Sequence, residues 1–223
     1  MSQIKLFSAR ACPYAHRTRL VLTHKQLPFE LVEIDLKNKP TWFDAKVSAY
    51  GKVPAIEHAG QYFWESAVVN EYLDEVFPEP ALLPDDPAQR AVARIWIDYA
   101  NTRFVNSFGK LLRLPKDGDE AAARRELNET LNFIEAGLTK LSAAGPFFLG
   151  AQPSLVDFTF YPWFERWPAL EQLRKFPLPA ELTHIASWRA AVRELAAVRE
   201  HENPAKYYVE RYRALLAPAH KAA

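Results

Sequence analysis

Apolar positions in the first third of the chain follow two different periods. The short apolar runs IKLF (4–7) and PFELVEI (28–34) read as β-strands. Between them Pro13 opens a predicted helix reaching to about Gln26, because the first helical position has no use for the N–H that proline lacks. VPAIEH and QYFW, separated by Ala59-Gly60, predict a β-hairpin. Val69, Tyr72, Leu73 and Val76 then recur at i, i+3, i+4 and i+7, the signature of a helix with one buried face. Ser66 is placed to cap that helix and Pro78 to end it. The predicted order is strand–helix–strand, an irregular stretch, a hairpin and a helix.

Residues 78–87, PEPALLPDDP, carry four prolines in ten positions and read as a stiff, extended linker. Beyond it only the helical period is found. Val92, Ile95, Trp96 and Tyr99 form one stripe; Leu127, Leu131, Ile134, Leu138 and Leu141 form a second; Leu182, Ile185, Trp188, Val192 and Leu195 form a third. The predicted organisation is an α/β domain over 1–77, the linker over 78–87 and an all-helical domain over 88–223. No internal repeat or low-complexity segment interrupts it.

Composition narrows the function classes. The chain has 223 residues, 49% hydrophobic and 25% charged, with a formal net charge of +1. That balance gives no electrostatic reason to expect a nucleic acid partner. No apolar stretch approaches the ~20 residues needed to span a bilayer, and MSQIKLFS lacks the layout of a signal peptide. A single cysteine cannot form an intrachain disulfide. A cytoplasmic protein without a bound metal is expected.

That cysteine, Cys12, stands immediately before Pro13 and so at the cap of the first predicted helix. A lone cysteine is commonly an inert core residue, but a cap following a short strand is where backbone amides converge. Lowering a thiol pKa from ~8.5 to ~6 takes roughly 3.4 kcal/mol. The helix dipole supplies only about 0.3–1 kcal/mol. Hydrogen bonds from the amides of Tyr14 and Ala15 are expected to provide the main part, at roughly 1.5–3 kcal/mol for a charged acceptor. Arg10, His16 and Arg17 are read as exposed charges that contribute little. Ala15 stands where a Cys-x-x-Cys site would hold its resolving thiol. A disulfide formed on Cys12 therefore needs an external thiol to release it, and glutathione is the abundant intracellular one.

The motifs CPYAHRTRLVL, LKNKPTWF, VPAIE, WESAVVNEYLDEVFP, LLPDDP and YPWFER together resemble the omega class of glutathione transferases, the cysteine-type branch of that superfamily. The similarity runs from residue 4 to about 170 and is looser over the last helices. It implies a thioredoxin-like N-terminal domain followed by a helical domain. It implies that Cys12 is catalytic, that Pro54 is a cis proline, and that the backbone of Val53 pairs with glutathione. Glu65 and Ser66 are implied to hold the γ-glutamyl end, and Lys39, with Lys52 as a second candidate, the glycyl carboxylate. Tyr14 is expected beside glutathione. Tyr14, Arg166, Tyr208 and Tyr212 are candidates for the wall of a second-substrate pocket between the domains. Ser154–Asp157 has the layout of a helix-capping box and is read as structural. The chain departs from the pattern at Ala11, where an aromatic residue often stands, and at His16, which replaces an acid or amide.

The activity implied is glutathione-dependent thiol transfer and reduction through a Cys12–glutathione mixed disulfide, including dehydroascorbate and glutathionyl-ketone reduction, by a homodimer acting on a small electrophilic or disulfide substrate. Two alternatives stand beside it. One is a conjugating transferase in which a hydroxyl steadies the glutathione thiolate, with Ser8 the nearby hydroxyl on the first strand. The other is a glutathione-binding protein of the same fold without turnover.

Overall fold

A computed structural model describes residues 3–141 and 144–217. The first domain is built on a four-stranded mixed sheet in the order β2-β1-β3-β4. β1 (Ile4–Ser8) pairs in parallel with β2 (Phe29–Glu33) and antiparallel with β3 (Ala55–His58), which turns into β4 (Gln61–Trp64). The hairpin turn places Ala59 and Gly60 at positive φ, 51° and 77°, as the two central residues of a type I′ turn require.

The period of two along β1 decides how the sheet is covered. Ile4 and Leu6 face a core with Leu20, Ile56, Val69 and Leu73, supplied by α1 (Pro13–His24) and α3 (Ser66–Val76). Phe7 points the other way, into a second cluster with Phe43, Val47, Val53 and Ala55. Phe43 comes from α2 (Thr41–Lys46), a short helix inside the stretch read from sequence as irregular; Phe43 is its one buried residue, so no stripe announces it. Cys12 packs against this second cluster.

Residues 78–86 hold no helix or strand, and α4 (Pro87–Tyr99) begins on Asp86, whose side chain accepts a hydrogen bond from the Gln89 N–H at 2.9 Å. A π-helical turn, Ala100–Phe104, joins α4 to α5 (Val105–Leu112). The rest is helical: α6 (Glu120–Leu141), α7 (Leu155–Glu165), α8 (Trp167–Arg174), α9 (Thr183–Arg193), α10 (Ala196–His201) and α11 (Ala205–Leu216). On α6, Leu127, Leu131, Ile134 and Leu138 are fully buried. On α4 the buried face is Ala93, Trp96 and Ile97, continued by Ala100 of the π-helical turn, and Ile95, assigned to the stripe from sequence, is 65% exposed. All eleven residues of α7 are buried, the state of a helix at the centre of its domain. Its start is fixed by Asp157, which accepts from the Ser154 N–H and hydroxyl, the Phe148 N–H and the Trp188 indole, each at 2.7–2.8 Å. Burial pushes the Asp157 pKa up and those donors pull it back.

The two domains are joined through α1, which packs on α3 in its own domain and on α7 and α10 in the other. At the C-terminal end of α1 the buried Lys25 ammonium holds Asp74 at 2.6 Å and donates to the carbonyls of Phe77 and Pro80 at 2.8 and 2.6 Å. Asp74 in turn accepts the Leu82 N–H at 2.9 Å. The proline-rich segment is thereby stapled to the first domain.

Candidate active site

Cys12 is the last residue of the loop leaving β1 and the N-cap of α1, with an extended backbone (φ −75°, ψ 120°). Its N–H donates to Ala9 O at 2.9 Å, and its carbonyl accepts the His16 N–H at 3.0 Å. The side chain is partly exposed. The amides of the first turn do not close on the sulfur, contrary to the expectation from sequence: the side chain accepts no capping hydrogen bond. Instead the thiol donates to Val53 O at 3.6 Å. Val53 O thus occupies the thiol proton, and the Val53–Pro54 bond beside it is cis.

A cleft of about 330 Å³ opens next to this contact, lined by Tyr14, Lys52, Val53, Pro54, Glu65 and Ser66, with Ala67 and Asn101. Five of the residues assigned to glutathione from sequence therefore share one cavity. Lys39 does not. Its ammonium sits 3.1 Å from both Asp44 carboxylate oxygens and 3.0 Å from Gly51 O. Gly51 is at φ +61°, a conformation glycine adopts without the cost of a Cβ. Of the two lysines weighed for the glycyl carboxylate, Lys52 lines the cleft and Lys39 is engaged with its own loop.

Glu65, the N-cap of α3, is held at φ 68°, ψ 111°, an unusual conformation for a residue with a Cβ. Ser66 is the first residue of α3 rather than its cap, and is 4% exposed. Its hydroxyl accepts from the Arg17 guanidinium at 3.2 Å. Arg17 and His16, expected on the surface, are 1% and 0% exposed. Arg17 donates further to Asn101 Oδ1 at 2.7 Å and to Thr159 O at 2.9 Å, and lies over the Trp163 ring at 4.5 Å. Burial draws its pKa down to about 9, against which the Tyr14 and Cys12 side chains work. Arg19, also buried, donates to Ser8 Oγ at 2.6 Å and to Arg10 O at 3.1 Å. Ser8 is 0% exposed, so its hydroxyl is sealed beneath the loop and faces no cleft. Burial raises the Tyr14 pKa, keeping its hydroxyl protonated at neutral pH.

The residues expected on a second-substrate wall divide. Tyr14 is 38% exposed and makes an edge contact with Trp163. Arg166 and Tyr208 are 0% and 1% exposed and are not among the residues lining the cleft beside Cys12. Arg166 donates to Pro162 O at 2.6 Å and Ala11 O at 3.3 Å, and its guanidinium lies 4.4 Å from the centre of the Tyr208 ring. The Tyr208 hydroxyl donates to Glu165. These groups support the loop before Cys12 from beneath. Tyr212 is half-buried, within hydrogen-bonding reach of Arg166, with its pKa raised by burial. His16 Nε2 and Glu165 Oε2 are 3.8 Å apart. Burial, with Arg166, Arg19 and His201, drives the His16 pKa well below 6.5, and burial raises that of Glu165. The imidazole of this contact is therefore uncharged at neutral pH.

Asn101 was not found from sequence. It reaches Arg17 and the cleft because the chain makes a π-helical turn there, a feature frequent at functional sites. Among the described residues no group of three or more His, Cys, Asp or Glu side chains is arranged to hold a metal ion.

Comparison with known proteins gives two family matches. Residues 11–76 match the N-terminal domain of glutathione S-transferase, and residues 90–200 its C-terminal domain. Glutathione S-transferase omega-1 of Mus musculus is 34% identical over 93% of this chain and 84% of its own length. Among solved structures, a tau class glutathione S-transferase from mango superimposes with a TM-score of 0.89 at 28% identity, covering 96% of this chain and 99% of that one. Glutathione transferase omega 3C from Trametes versicolor superimposes with a TM-score of 0.83 at 27% identity, covering 96% and 91%.

Proposed function

The chain belongs to the glutathione S-transferase family, and from that premise we propose that it is an omega-class glutathione-dependent thiol transferase and reductase working through Cys12. The observation that carries this reading is the pairing of a partly exposed Cys12 with a sealed Ser8: at the start of α1 the thiol is the accessible group, while the one hydroxyl on β1 is spent on Arg19. The omega name of the mouse relative and of the fungal structure points the same way.

In the reaction proposed, glutathione lies in the cleft with its cysteinyl backbone paired to Val53, its γ-glutamyl end at Glu65 and Ser66, and its glycyl carboxylate at Lys52. The Cys12 thiolate attacks the glutathionyl sulfur of a mixed disulfide R–S–S–G. The S–S bond breaks, R–S⁻ leaves and takes up a proton, and Cys12 is left as a disulfide with glutathione. A second glutathione thiolate then attacks that disulfide, giving oxidised glutathione and restoring the Cys12 thiolate. The sum consumes one R–S–S–G and one glutathione and yields R–SH and oxidised glutathione. Dehydroascorbate and glutathionyl ketones are further substrates that the same intermediate serves.

No helix among the described residues is long and apolar enough to cross a membrane. We place the protein in the cytoplasm as a homodimer, with Val68, Ile95 and Phe133, each more than half exposed, among the apolar side chains a second copy would cover. The test is intact-protein mass spectrometry after exposure to oxidised glutathione. One glutathione gained per chain, released by reduced glutathione, supports the mechanism; no adduct overturns it.

A further inference from the structure

A second cavity, of about 490 Å³, lies between α7, α8, α9 and the turn into α11, and shares no lining residue with the cleft beside Cys12. Its volume is in the range of sites for small organic molecules. Two donors converge on it. The Arg189 guanidinium, half-buried, makes no hydrogen bond or ion pair among the described residues. Tyr161 is 2% exposed, and its hydroxyl has no hydrogen-bond partner among them either.

The acids nearby are already engaged. Glu202 pairs with Arg193 at 2.8 Å. Glu165 accepts from the Tyr208 hydroxyl and the Asn203 N–H through one oxygen and turns the other to His16. Glu171 is within electrostatic reach of Arg189 without forming an ion pair. Pro168, Leu178 and Pro204 give the lining apolar surface. A guanidinium is a planar fork that matches a carboxylate through two parallel N–H bonds. One unpaired guanidinium between engaged acids suits a single negative charge, whereas a dianion such as phosphate would meet Glu202 and Glu165.

We propose that this cavity is a binding site for a small carboxylic acid with an apolar body. Arg189 and Tyr161 hold its carboxylate, and Pro168 and Leu178 cover its body. The site sits behind the Cys12 loop, because Asn203, on its rim, accepts the Arg10 Nε–H at 2.9 Å.

The experiment is calorimetric titration of the full chain with 2-naphthoate, and with 2-naphthalenemethanol as its uncharged counterpart, in the presence of saturating S-hexylglutathione. The expected result is one naphthoate per chain, bound at least about tenfold more tightly than the alcohol. Arg189→Gln should weaken naphthoate by about tenfold or more and Tyr161→Phe by a few-fold. Ala190→Trp, an exposed position on the rim, should block the cavity without disturbing the core. Arg189→Gln and Ala190→Trp should keep the wild-type thermal midpoint and thiol-transfer rate, which separates loss of the site from loss of the fold. Equal affinity in Arg189→Gln, equal binding of acid and alcohol, or displacement of naphthoate by S-hexylglutathione overturns the proposal.

Discussion

The Arg17 guanidinium donates to the Ser66 hydroxyl at 3.2 Å, tying the helix that starts at Cys12 to the helix that starts beside Glu65. The same side chain reaches Asn101 and Thr159 of the helical domain. Arg17 spreads these bonds over Nε and Nη1 of a rigid fork, whereas lysine gathers its donors on one nitrogen and cannot reproduce that geometry. Arg17→Lys is expected to lose about 2–4 kcal/mol of stability, from the loss of charge-assisted hydrogen bonds worth roughly 1.5–3 each. Chemical denaturation measures it directly. An unchanged unfolding midpoint would mean that these bonds contribute nothing net.

Cys12→Ala should fold and bind glutathione yet lose thiol transfer, because no other residue in the chain can form the mixed disulfide. The fold is insensitive because the Cys12 side chain makes no capping bond whose loss would be felt. Cys12→Ser should also lose reductase turnover, while a weak conjugating activity toward a chloronitrobenzene is expected to appear. Wild-type thiol-transfer rates in Cys12→Ala would contradict the mechanism at its centre.

Glu65 separates binding from strain. Glu65→Ala should weaken glutathione by roughly 1–3 kcal/mol, the cost of an unpaired charge in a partly desolvated site. Glu65→Gly should weaken it similarly but give a more stable protein than Glu65→Ala, since glycine adopts φ 68° without the penalty of a Cβ. Titration calorimetry and thermal melting of the pair check both halves; equal melting temperatures would show that the backbone there is unstrained.

His16 makes stability depend on pH. Its native pKa lies well below 6.5, so below pH 6.5 the unfolded chain binds a proton that the native chain refuses. Stability from this residue is therefore lost as pH falls, by about 1.4 kcal/mol per pH unit below 6.5. His24 and His201, also lowered by burial, act in the same direction. Glu165, whose native pKa is raised, acts oppositely, its contribution being lost as pH rises. Comparison of wild type with His16→Gln isolates the one group: the variant should lose less stability between pH 7.5 and 5.5. Parallel losses would assign the native state a protonated His16.

Lys25→Met should destabilise by about 3–5 kcal/mol, because it leaves the Asp74 carboxylate buried without its partner. Replacing both, with Asp74→Leu added, should recover part of the loss. Denaturant titration of the two variants tests the order.

How much of this was legible in the sequence follows from which rules local residues obey. Strands, hairpin and the cap position of Cys12 were readable because Pro13, Ala59-Gly60 and the alternating apolar runs act locally. α2 was not, since a six-residue helix burying only Phe43 leaves no period. Ile95 was misplaced because the buried stripe follows Ala93, Trp96 and Ile97 of α4 and Ala100 of the turn after it, so small alanines carry half the signal. The site's supports were hidden for a different reason. Arg17, Arg19, His16 and Arg166 belong to residue types normally solvated, and Arg17 and Arg166 bond carbonyls more than a hundred residues away, those of Thr159 and Ala11. Asn101 needed a π-helical turn that no periodicity encodes.

The position of α1 bears on how the protein would move. A linker rich in proline invites a picture of two bodies swinging about it. Yet Lys25 pins that linker down at one end of α1, and Arg17 reaches into the helical domain at the other. The helix works as an axle keyed into both halves. A substrate then meets a fixed gauge rather than a closing jaw, and discrimination comes from the shape and charge already present at the rim.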